Sequence, residues 1–113
     1  MEIDRELLKG SVSLVLLSLL SRGEMYGYEI LQEASRRSAN GFALKEGTLY
    51  PALHQLEKRD LIKAEWRTGE NGRERKYYAL TAKGRSQLID KTAQWRRIAG
   101  AMARVLGPEE SEV

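Results

Sequence analysis

Polar and ring side chains recur at helical spacing along residues 46–61, EGTLYPALHQLEKRDL, in a pattern that suits contact with double-stranded DNA. At about 100° per residue, Leu49, Ala52, Leu53 and Leu56 gather on one side of a helix, and the polar residues face the other. Hydroxyl and amide groups hydrogen-bond to base edges or phosphates, a lysine attracts phosphate, and a proline ring offers apolar contact to a thymine methyl group. The residues predicted to contact DNA from this segment are Thr48, Tyr50, Pro51, His54, Gln55 and Lys58. For Tyr50 the alternative to DNA contact is a position at the edge of the core. For His54 the alternative is plain exposure to solvent.

Pro51 lies inside this helical pattern, where a proline ordinarily costs about 3 kcal/mol through a lost hydrogen bond and a steric clash. If the helix begins at Glu46, the proline is its sixth residue and forfeits only the bond to the carbonyl group of Gly47. We therefore predict that the helix continues through Pro51 with a modest kink. The pattern is compatible with two roles for this proline, direct contact with DNA and shaping of the helix that makes the contact.

Basic residues cluster in the segment from Arg67 to Arg85, which holds six lysine or arginine residues and two glutamates, a net charge of +4. Such clustering is the electrostatic footprint of a surface that binds phosphate groups. A solvated charged face without a ligand is the alternative interpretation of the same charges. The strongest phosphate candidates are Arg73, Arg75 and Lys76, because they fall on a predicted hairpin whose other face is apolar.

The sequence offers little for catalysis or metal binding. It contains no cysteine and a single histidine, His54, so neither a nucleophile–base pair nor a cluster of metal ligands is visible. We therefore predict that the protein is not an enzyme and has no catalytic residue, metal site or cofactor. The longest apolar run, Val12–Leu20, is far shorter than the ~20 residues that span a membrane, and the first ten residues lack the layout of a signal peptide. These features predict a cytoplasmic protein without a membrane partner.

Three helices are predicted ahead of the basic segment. Apolar residues recur every three or four positions over residues 5–21, which predicts one continuous helix that Gly23 ends. A second helical pattern covers residues 28–38, and Asn40–Gly41 ends it because both residues tolerate a left-handed backbone. The third helix is the segment 46–61.

After Leu61 the hydrophobic period changes from 3.6 to 2, which predicts a β-hairpin. On its first strand Ile62, Ala64 and Trp66 alternate with charged residues, and the returning strand alternates in the same way. Asn71–Gly72 is a strong signal for the turn because both residues tolerate positive φ. The hairpin is predicted to have one apolar face and one basic, partly aromatic face.

A long helix is predicted from Ala82 to about Leu106, with Thr81 as its N-cap. Its apolar positions form a heptad-like seam: Leu88, Thr92, Trp95, Ala99, Met102 and Leu106. A helix of this length extends for about 37 Å, more than the width of the rest of so small a domain, so we expect its far end to pack on a second chain. Gly107 and Pro108 end the helix, and residues 107–113 are predicted to form an acidic, disordered tail.

Three helices, a basic hairpin and a long helix follow the plan of a winged helix-turn-helix protein. The predicted fold is mainly α with a small β-hairpin, in which residues 1–81 form the winged helix-turn-helix DNA-binding region and residues 82–106 form the dimerisation helix. In such a fold the third helix enters the major groove, and the hairpin, called the wing, lies against neighbouring phosphates.

Three short motifs carry a resemblance to a known family: YGYEI at 26–30, GTLYPAL at 47–53 and RKYYALT at 75–81. With them the chain resembles the PadR-like transcriptional regulators, in particular the short subgroup with a single C-terminal helix. The resemblance implies a homodimeric repressor that binds a double-stranded DNA operator through the third helix and the wing. The chain departs from the family pattern at Lys45, where serine or asparagine often caps the third helix, and at Asp60, where glycine is usual.

The resemblance also implies a site for a small apolar or aromatic effector between the subunits. Regulators of this shape can stack flat apolar ligands on a tryptophan of the C-terminal helix, and Trp95 falls at the matching position. Leu8, Ser11 and Val15 of the first helix are the candidate residues for the rest of this site. The alternative places Trp95 in the core of the dimer interface. For the whole chain, the alternative function is a winged helix that docks proteins without binding DNA, which the basic wing disfavours.

Overall fold

Five α-helices and three short β-strands are present in the computed structural model, which describes residues 3–109. In chain order they are α1 (Arg5–Lys9), α2 (Val12–Leu20), β1 (Met25–Tyr26), α3 (Gly27–Arg37), α4 (Glu46–Lys58), β2 (Ile62–Thr68), β3 (Glu74–Leu80) and α5 (Ala82–Leu106). The chain is mainly helical with a small antiparallel sheet, which is the winged helix-turn-helix fold that the sequence predicts. None of the helices within residues 3–109 is long and apolar enough to cross a membrane.

The hydrophobic core lies between α2, α3, α4 and the base of the sheet. Leu16 of α2, Ile30 of α3 and Leu49 of α4 have no exposed surface, and Ile62 at the start of β2 is only 2% exposed. Each such side chain contributes roughly 1.5–3 kcal/mol when it is fully buried. This core holds α4 with its apolar side inward and so fixes which side of the helix faces solvent.

The prediction of one helix over residues 5–21 is wrong, because α1 ends at Lys9 and α2 begins at Val12. Gly10 lowers helix stability by about 1 kcal/mol relative to alanine. The Ser11 amide donates to the carbonyl oxygen of Leu8, three residues back, at 2.9 Å, which is the bond of a tight turn and not of an α-helix. The apolar spacing continues across the break, so the pattern by itself did not show it.

The bounds of helices α3 and α4 agree more closely with the bounds predicted from the sequence. α3 is displaced by one residue from the predicted range, and α4 begins at Glu46, passes through Pro51 and ends three residues before the end of segment 46–61. Lys45 occupies the N-cap of α4 and makes no side-chain hydrogen bond there, as expected of a side chain that cannot accept one. Asp60, with φ at 61°, adopts the left-handed conformation that follows the helix.

The sheet has three strands in the order β1-β3-β2, so the prediction of a hairpin alone is incomplete. β2 and β3 form the predicted antiparallel hairpin, and β1 pairs with the free edge of β3 through Met25–Tyr78 and Tyr26–Tyr77. A strand of two residues is too short to show an alternating pattern, which is why the sequence did not reveal β1. The turn between β2 and β3 contains Gly72 with φ at 78°, as its position in the Asn71–Gly72 pair predicted.

Helix α5 has the predicted bounds and begins at the predicted cap. The Thr81 hydroxyl accepts a hydrogen bond from the amide of Gly84 at 2.9 Å, and Gly84 is the one buried residue of the helix. The described residues extend over 59 × 28 × 21 Å, since α5 projects beyond the core. Six large apolar side chains of α5 are more than half exposed: Ile89, Trp95, Ile98, Met102, Val105 and Leu106. Of the tail predicted to be disordered, residues 110–113 lie outside the described residues.

Candidate nucleic-acid interface

One side of α4 is buried and the other is open to solvent. Leu49, Leu53 and Leu56 point into the core and are at most 1% exposed. The exposed side, the outer face of α4, carries Thr48, Pro51, His54, Gln55 and Lys58. Five of the six residues predicted from this helix therefore share one surface, which presents hydrogen-bonding groups, an apolar ring and a positive charge at helical spacing.

Tyr50, the sixth residue, has a different environment. Its ring and hydroxyl group pack so closely against Gly27 at the start of α3 that a Cβ atom there has no room. The ring is nevertheless 44% exposed. The structure therefore combines the two positions considered for Tyr50, because the side chain joins α4 to α3 and keeps an exposed edge beside the outer face of α4.

An ion pair connects the wing, residues 62–80, to α4. The Nζ atom of Lys76 lies 3.9 Å from Oε1 of Glu57 and 5.6 Å from the centre of the Tyr78 ring. Burial raises the pKa of the Tyr78 hydroxyl, and the nearby Glu57 and Tyr50 raise it further. Because both partners of the ion pair are more than a third exposed, the pair contributes only about 0–1 kcal/mol and leaves Lys76 able to bind a phosphate.

Arg73 and Arg75 differ in how they are held. Arg73 lies in the exposed turn of the wing, where its amide donates to the side-chain oxygen of Asn71 at 3.1 Å. Arg75 lies on β3, and its guanidinium carbon is 4.5 Å from the centre of the Tyr26 ring. Successive residues of a strand point to opposite faces, so Arg75 and Lys76 stand on opposite faces of the wing.

Arg67 is paired within the sheet, which the sequence did not show. Its guanidinium forms an ion pair with Glu24, lies 3.2 Å from a carboxylate oxygen of Glu65 and is 5.1 Å from the centre of the Tyr77 ring. The hydrogen bond from Arg67 lowers the pKa of the Glu24 carboxyl group, and Glu24 raises the pKa of Arg67. Two of the six bases of the basic segment, Lys76 and Arg67, are therefore already in ion pairs with carboxylates.

These contacts connect into one group, the Tyr26–Tyr77 cluster, on the face of the sheet that carries Arg75. The rings of Tyr26 and Tyr77 meet edge to face, with centres 5.4 Å apart and planes at 70°. Such an aromatic pair contributes about 0.5–1.5 kcal/mol beyond the area it buries. The cluster consists of Glu24, Tyr26, Arg67, Arg75 and Tyr77. Glu24 and Tyr26 come from the segment before α3, so this cluster ties the wing to the start of that helix.

Trp66 was expected on the apolar face of the hairpin, and the structure leaves its side chain 63% exposed. It lies opposite Lys76 in the register of β2 and β3. The apolar face is buried at its base, at Ile62 and Tyr78, and Trp66 lies farther along the wing, beyond the core. The alternating pattern identified the face correctly but carried no information on how far the core reaches along it.

A cavity of about 250 Å³ between α2, α3 and α5 brings together three of the four residues predicted for an effector site. Ser11, Val15 and Trp95 line it, whereas Leu8 packs against the core and does not. Arg37 and Phe42 also line this cavity, and the sequence gave no signal for either. A second cavity, of about 270 Å³, lies on the α4 side of Trp95.

The part of the chain that the structure describes holds no group of side chains that could bind a metal ion. Within residues 3–109, no three histidine, aspartate or glutamate side chains lie close enough together to hold a metal ion.

Comparison with known proteins agrees with this fold. Residues 16–90 match the family described as "Transcriptional regulator PadR-like family". A transcriptional regulator of Mycobacterium tuberculosis is 38% identical over 104 residues, which cover 91% of this chain and 90% of that protein. The structure of a transcriptional regulator from Clostridium thermocellum superimposes with a TM-score of 0.84 at 30% identity, covering 93% of this chain and 99% of that chain. A PadR family transcription regulator from Clostridium difficile gives a TM-score of 0.75 at 37% identity, covering 86% and 99%.

Proposed function

The chain belongs to the PadR-like family of transcriptional regulators, and from this membership we propose that it is a cytoplasmic, homodimeric repressor that binds a pseudo-palindromic DNA operator. As a member of a family of transcriptional regulators, it is not an enzyme. The proposal assigns DNA contact to the outer face of α4, to Tyr50 and to the wing bases Arg73, Arg75 and Lys76.

The observation that carries this proposal is the position of the wing beside an exposed polar helix face. The Lys76–Glu57 contact joins one wing base, Lys76, to α4, whose three leucines are turned inward. A helix that reads base edges and a hairpin that meets the adjacent phosphates require this arrangement.

The exposed side chains of α5 support a homodimer. A row of apolar residues that nothing in the described chain covers is unfavourable in water, and a second copy of the helix would bury it. Burial of apolar surface contributes about 25 cal/mol for each Å², so helix pairing is a substantial source of stability for so small a core. In the dimer, two α4 helices would meet successive major grooves about 34–36 Å apart.

DNA binding is tested by fluorescence anisotropy with two labelled duplexes, the region upstream of the protein's own gene and a shuffled version of the same composition. We expect tighter binding to the upstream region, and affinities for both duplexes that fall steeply with salt because bound phosphates release counterions. No binding to either duplex at low salt would favour the alternative of a protein-docking module.

We further propose that a small apolar or aromatic effector binds at the cavity lined by Trp95 and relieves repression. The cavity opens beside the exposed α5 seam, so a ligand there would lie where a partner subunit packs. A ligand that binds one arrangement of the two subunits better than another shifts the population toward that arrangement. Residues Ser11, Val15 and Trp95 would contact the ligand directly, with Leu8 supporting them from the core.

The effector proposal is tested by tryptophan fluorescence in a Trp66→Phe background, which leaves Trp95 as the only tryptophan. We expect planar aromatic dyes that do not themselves bind DNA to quench Trp95 saturably and to weaken operator binding at the same concentrations. The matched control is Trp95→Phe, in which quenching of Trp66 should be weak. If a broad panel of planar dyes left Trp95 fluorescence unchanged, the effector site would be rejected and the DNA-binding proposal would stand.

A further inference from the structure

The end of α4 and the beginning of α5 meet at one small contact, the α4–α5 junction, formed by Asp60, Leu61, Thr81 and Gly84. The hydroxyl of Thr81 donates to the carbonyl oxygen of Asp60 at 2.7 Å and accepts from the amide of Gly84 at 2.9 Å. The Thr81 amide donates to the carbonyl oxygen of Leu61 at 3.1 Å. The residue that caps α5 is therefore also bonded to the two residues that end the turn after α4.

Gly84 brings the first turn of α5 into contact with the backbone of Leu61. A Cβ atom at Gly84 would overlap the Leu61 carbonyl oxygen, and it would lie 2.9 Å from the Leu61 carbonyl carbon and 2.9 Å from a methyl carbon of Leu80. Two of these three atoms are backbone, so they cannot rotate away as a side chain would. Glycine is thus the residue that allows α5 to approach α4 this closely.

Beyond its first turn α5 packs against α2, and Leu88 packs against the core. No residue after Gly84 on this helix is buried, and Lys91, Trp95 and Ile98 line the cavity of about 270 Å³ that lies between α5, α2 and the end of α4. A helix of 25 residues is about 37 Å long, so a tilt of about 5° at its first turn displaces its far end by about 3 Å. The direction of α5 relative to α4 therefore depends on the junction as well as on the packing of α5 against α2.

We propose that Thr81 and Gly84 are positioning residues that set the half-site spacing of the operator. The inference rests on the proposed function, because it requires that α5 joins two subunits and that α4 reads DNA. In such a dimer the distance and angle between the two α4 helices follow from the angle at which each α4 is joined to its α5. The junction thereby determines which separation of half-sites both helices can reach together.

The test is selection of binding sites from a library of randomised duplexes by the wild-type protein, Gly84→Ala and the matched control Gly100→Ala. Gly100 lies on the same helix, and nothing stands within 4 Å of a Cβ atom there. We expect the wild type and Gly100→Ala to enrich the same pair of half-sites at the same separation. Gly84→Ala should enrich the same half-site sequence at a different separation, because the outer face of α4 is unchanged.

Anisotropy titrations give the size of the effect, using the duplex that the wild type selects and versions with one base pair added or removed between its half-sites. We expect Gly84→Ala to bind the selected duplex roughly tenfold more weakly, within the usual range of coupling between sites in a protein. Its affinity for a single half-site should change far less, which a general loss of stability would not produce.

Thr81→Val and Thr81→Ser make the test independent of whether Gly84→Ala folds. Valine removes the hydroxyl that bonds to Asp60 and Gly84, and serine keeps it, so the valine variant should alter the preferred separation and the serine variant should preserve it. The inference is overturned if Thr81→Val, or a folded Gly84→Ala dimer, keeps the wild-type separation. A wild type that selects no paired half-sites would instead refute the proposed function itself.

Discussion

At the scale of single residues, the wing bases differ in the contacts that already hold them, and these contacts set what we expect each base to contribute to the proposed DNA binding. Arg67 is engaged by Glu24 and Glu65, Lys76 shares a weak ion pair with Glu57, and Arg75 rests on the ring of Tyr26. A guanidinium stacked on a ring loses little further freedom when it binds a phosphate, and its N–H groups stay at the edge of the stack. Arg75 is therefore the wing base best prepared for a phosphate contact.

Arg75→Ala should weaken binding to every DNA sequence by a similar factor. The reason is that a phosphate contact carries no sequence information, and its loss removes the release of about one counterion. The slope of log affinity against log salt should become shallower by about 0.9. Titrations at several salt concentrations measure this, with Arg104→Ala near the far end of α5 as a control of equal charge change. Unchanged slopes for Arg75→Ala would remove this residue from the interface.

Gln55→Ala should act differently, because its amide can hydrogen-bond to a base edge. We expect the variant to lose discrimination at one base pair of each half-site, worth about 1–3 kcal/mol, while its salt slope stays close to that of the wild type. Binding to duplexes substituted one base pair at a time measures the discrimination. Gln32→Ala on α3, which removes the same group from a different surface, serves as the control. A uniform loss across all duplexes would place Gln55 on the phosphates instead.

At the scale of elements, β1 connects the wing to the start of α3 through the Tyr26–Tyr77 cluster. The Tyr26 amide donates to a carboxylate oxygen of Glu29 in the first turn of α3 at 3.1 Å, and Tyr26 also pairs with Tyr77 on β3. On the other side of α3, Gly27 receives the ring of Tyr50 from α4. The start of α3 is thus the place where the wing and α4 are held relative to each other.

Glu24→Gln should lower the melting temperature at neutral pH, because the amide loses the ion pair with Arg67. The pKa of Glu24 is lowered in the folded protein, so its contribution to stability is present above the ordinary glutamate range and is lost as the pH falls through the folded pKa. We therefore expect the melting curves of the wild type and Glu24→Gln to converge in acid. Circular dichroism over a pH series measures this, with Glu70→Gln in the wing turn as the control. A difference that persisted at low pH would contradict a role for the carboxylate charge.

At the scale of the whole molecule, the core is small and lies at one end of an elongated chain. Most of α5 extends beyond it with apolar side chains exposed, and this helix is longer than the molecule is wide. An architecture of this kind becomes compact when a second copy covers the helix. DNA binding and dimerisation would then be linked, since two half-sites bind far more tightly than one when the subunits are joined.

Met102→Lys should therefore weaken the dimer and, with it, operator binding. A lysine ammonium in an apolar interface loses hydration without gaining a partner. Sedimentation equilibrium should show a shift toward monomer, and affinity for the paired operator should fall toward that for a single half-site. Ala93→Lys adds the same charge at an exposed position about 180° around the helix from Met102 and should remain dimeric. Equal behaviour of the two variants would place the dimer interface elsewhere.

The sequence by itself determined the features that depend on short stretches of neighbouring residues. The apolar side of α4, the bounds of α5, the cap at Thr81 and the strands of the hairpin follow from hydrophobic period and from backbone preferences of single residues. The same stretches contain the motifs through which the chain resembles its family. These features were predictable because each depends on residues within a few positions of one another.

The tertiary structure alone decided which contacts form between segments that are distant in the chain. The pairing of Arg67 with Glu24, 43 residues away, the addition of β1 to the sheet and the approach of Gly84 to Leu61 leave no periodic signal in the sequence. The break at Gly10 was hidden for a related reason, because the apolar spacing on both sides serves the same core. Spacing along the chain specifies which way a side chain points, whereas the partner that it meets depends on how the core brings the elements together.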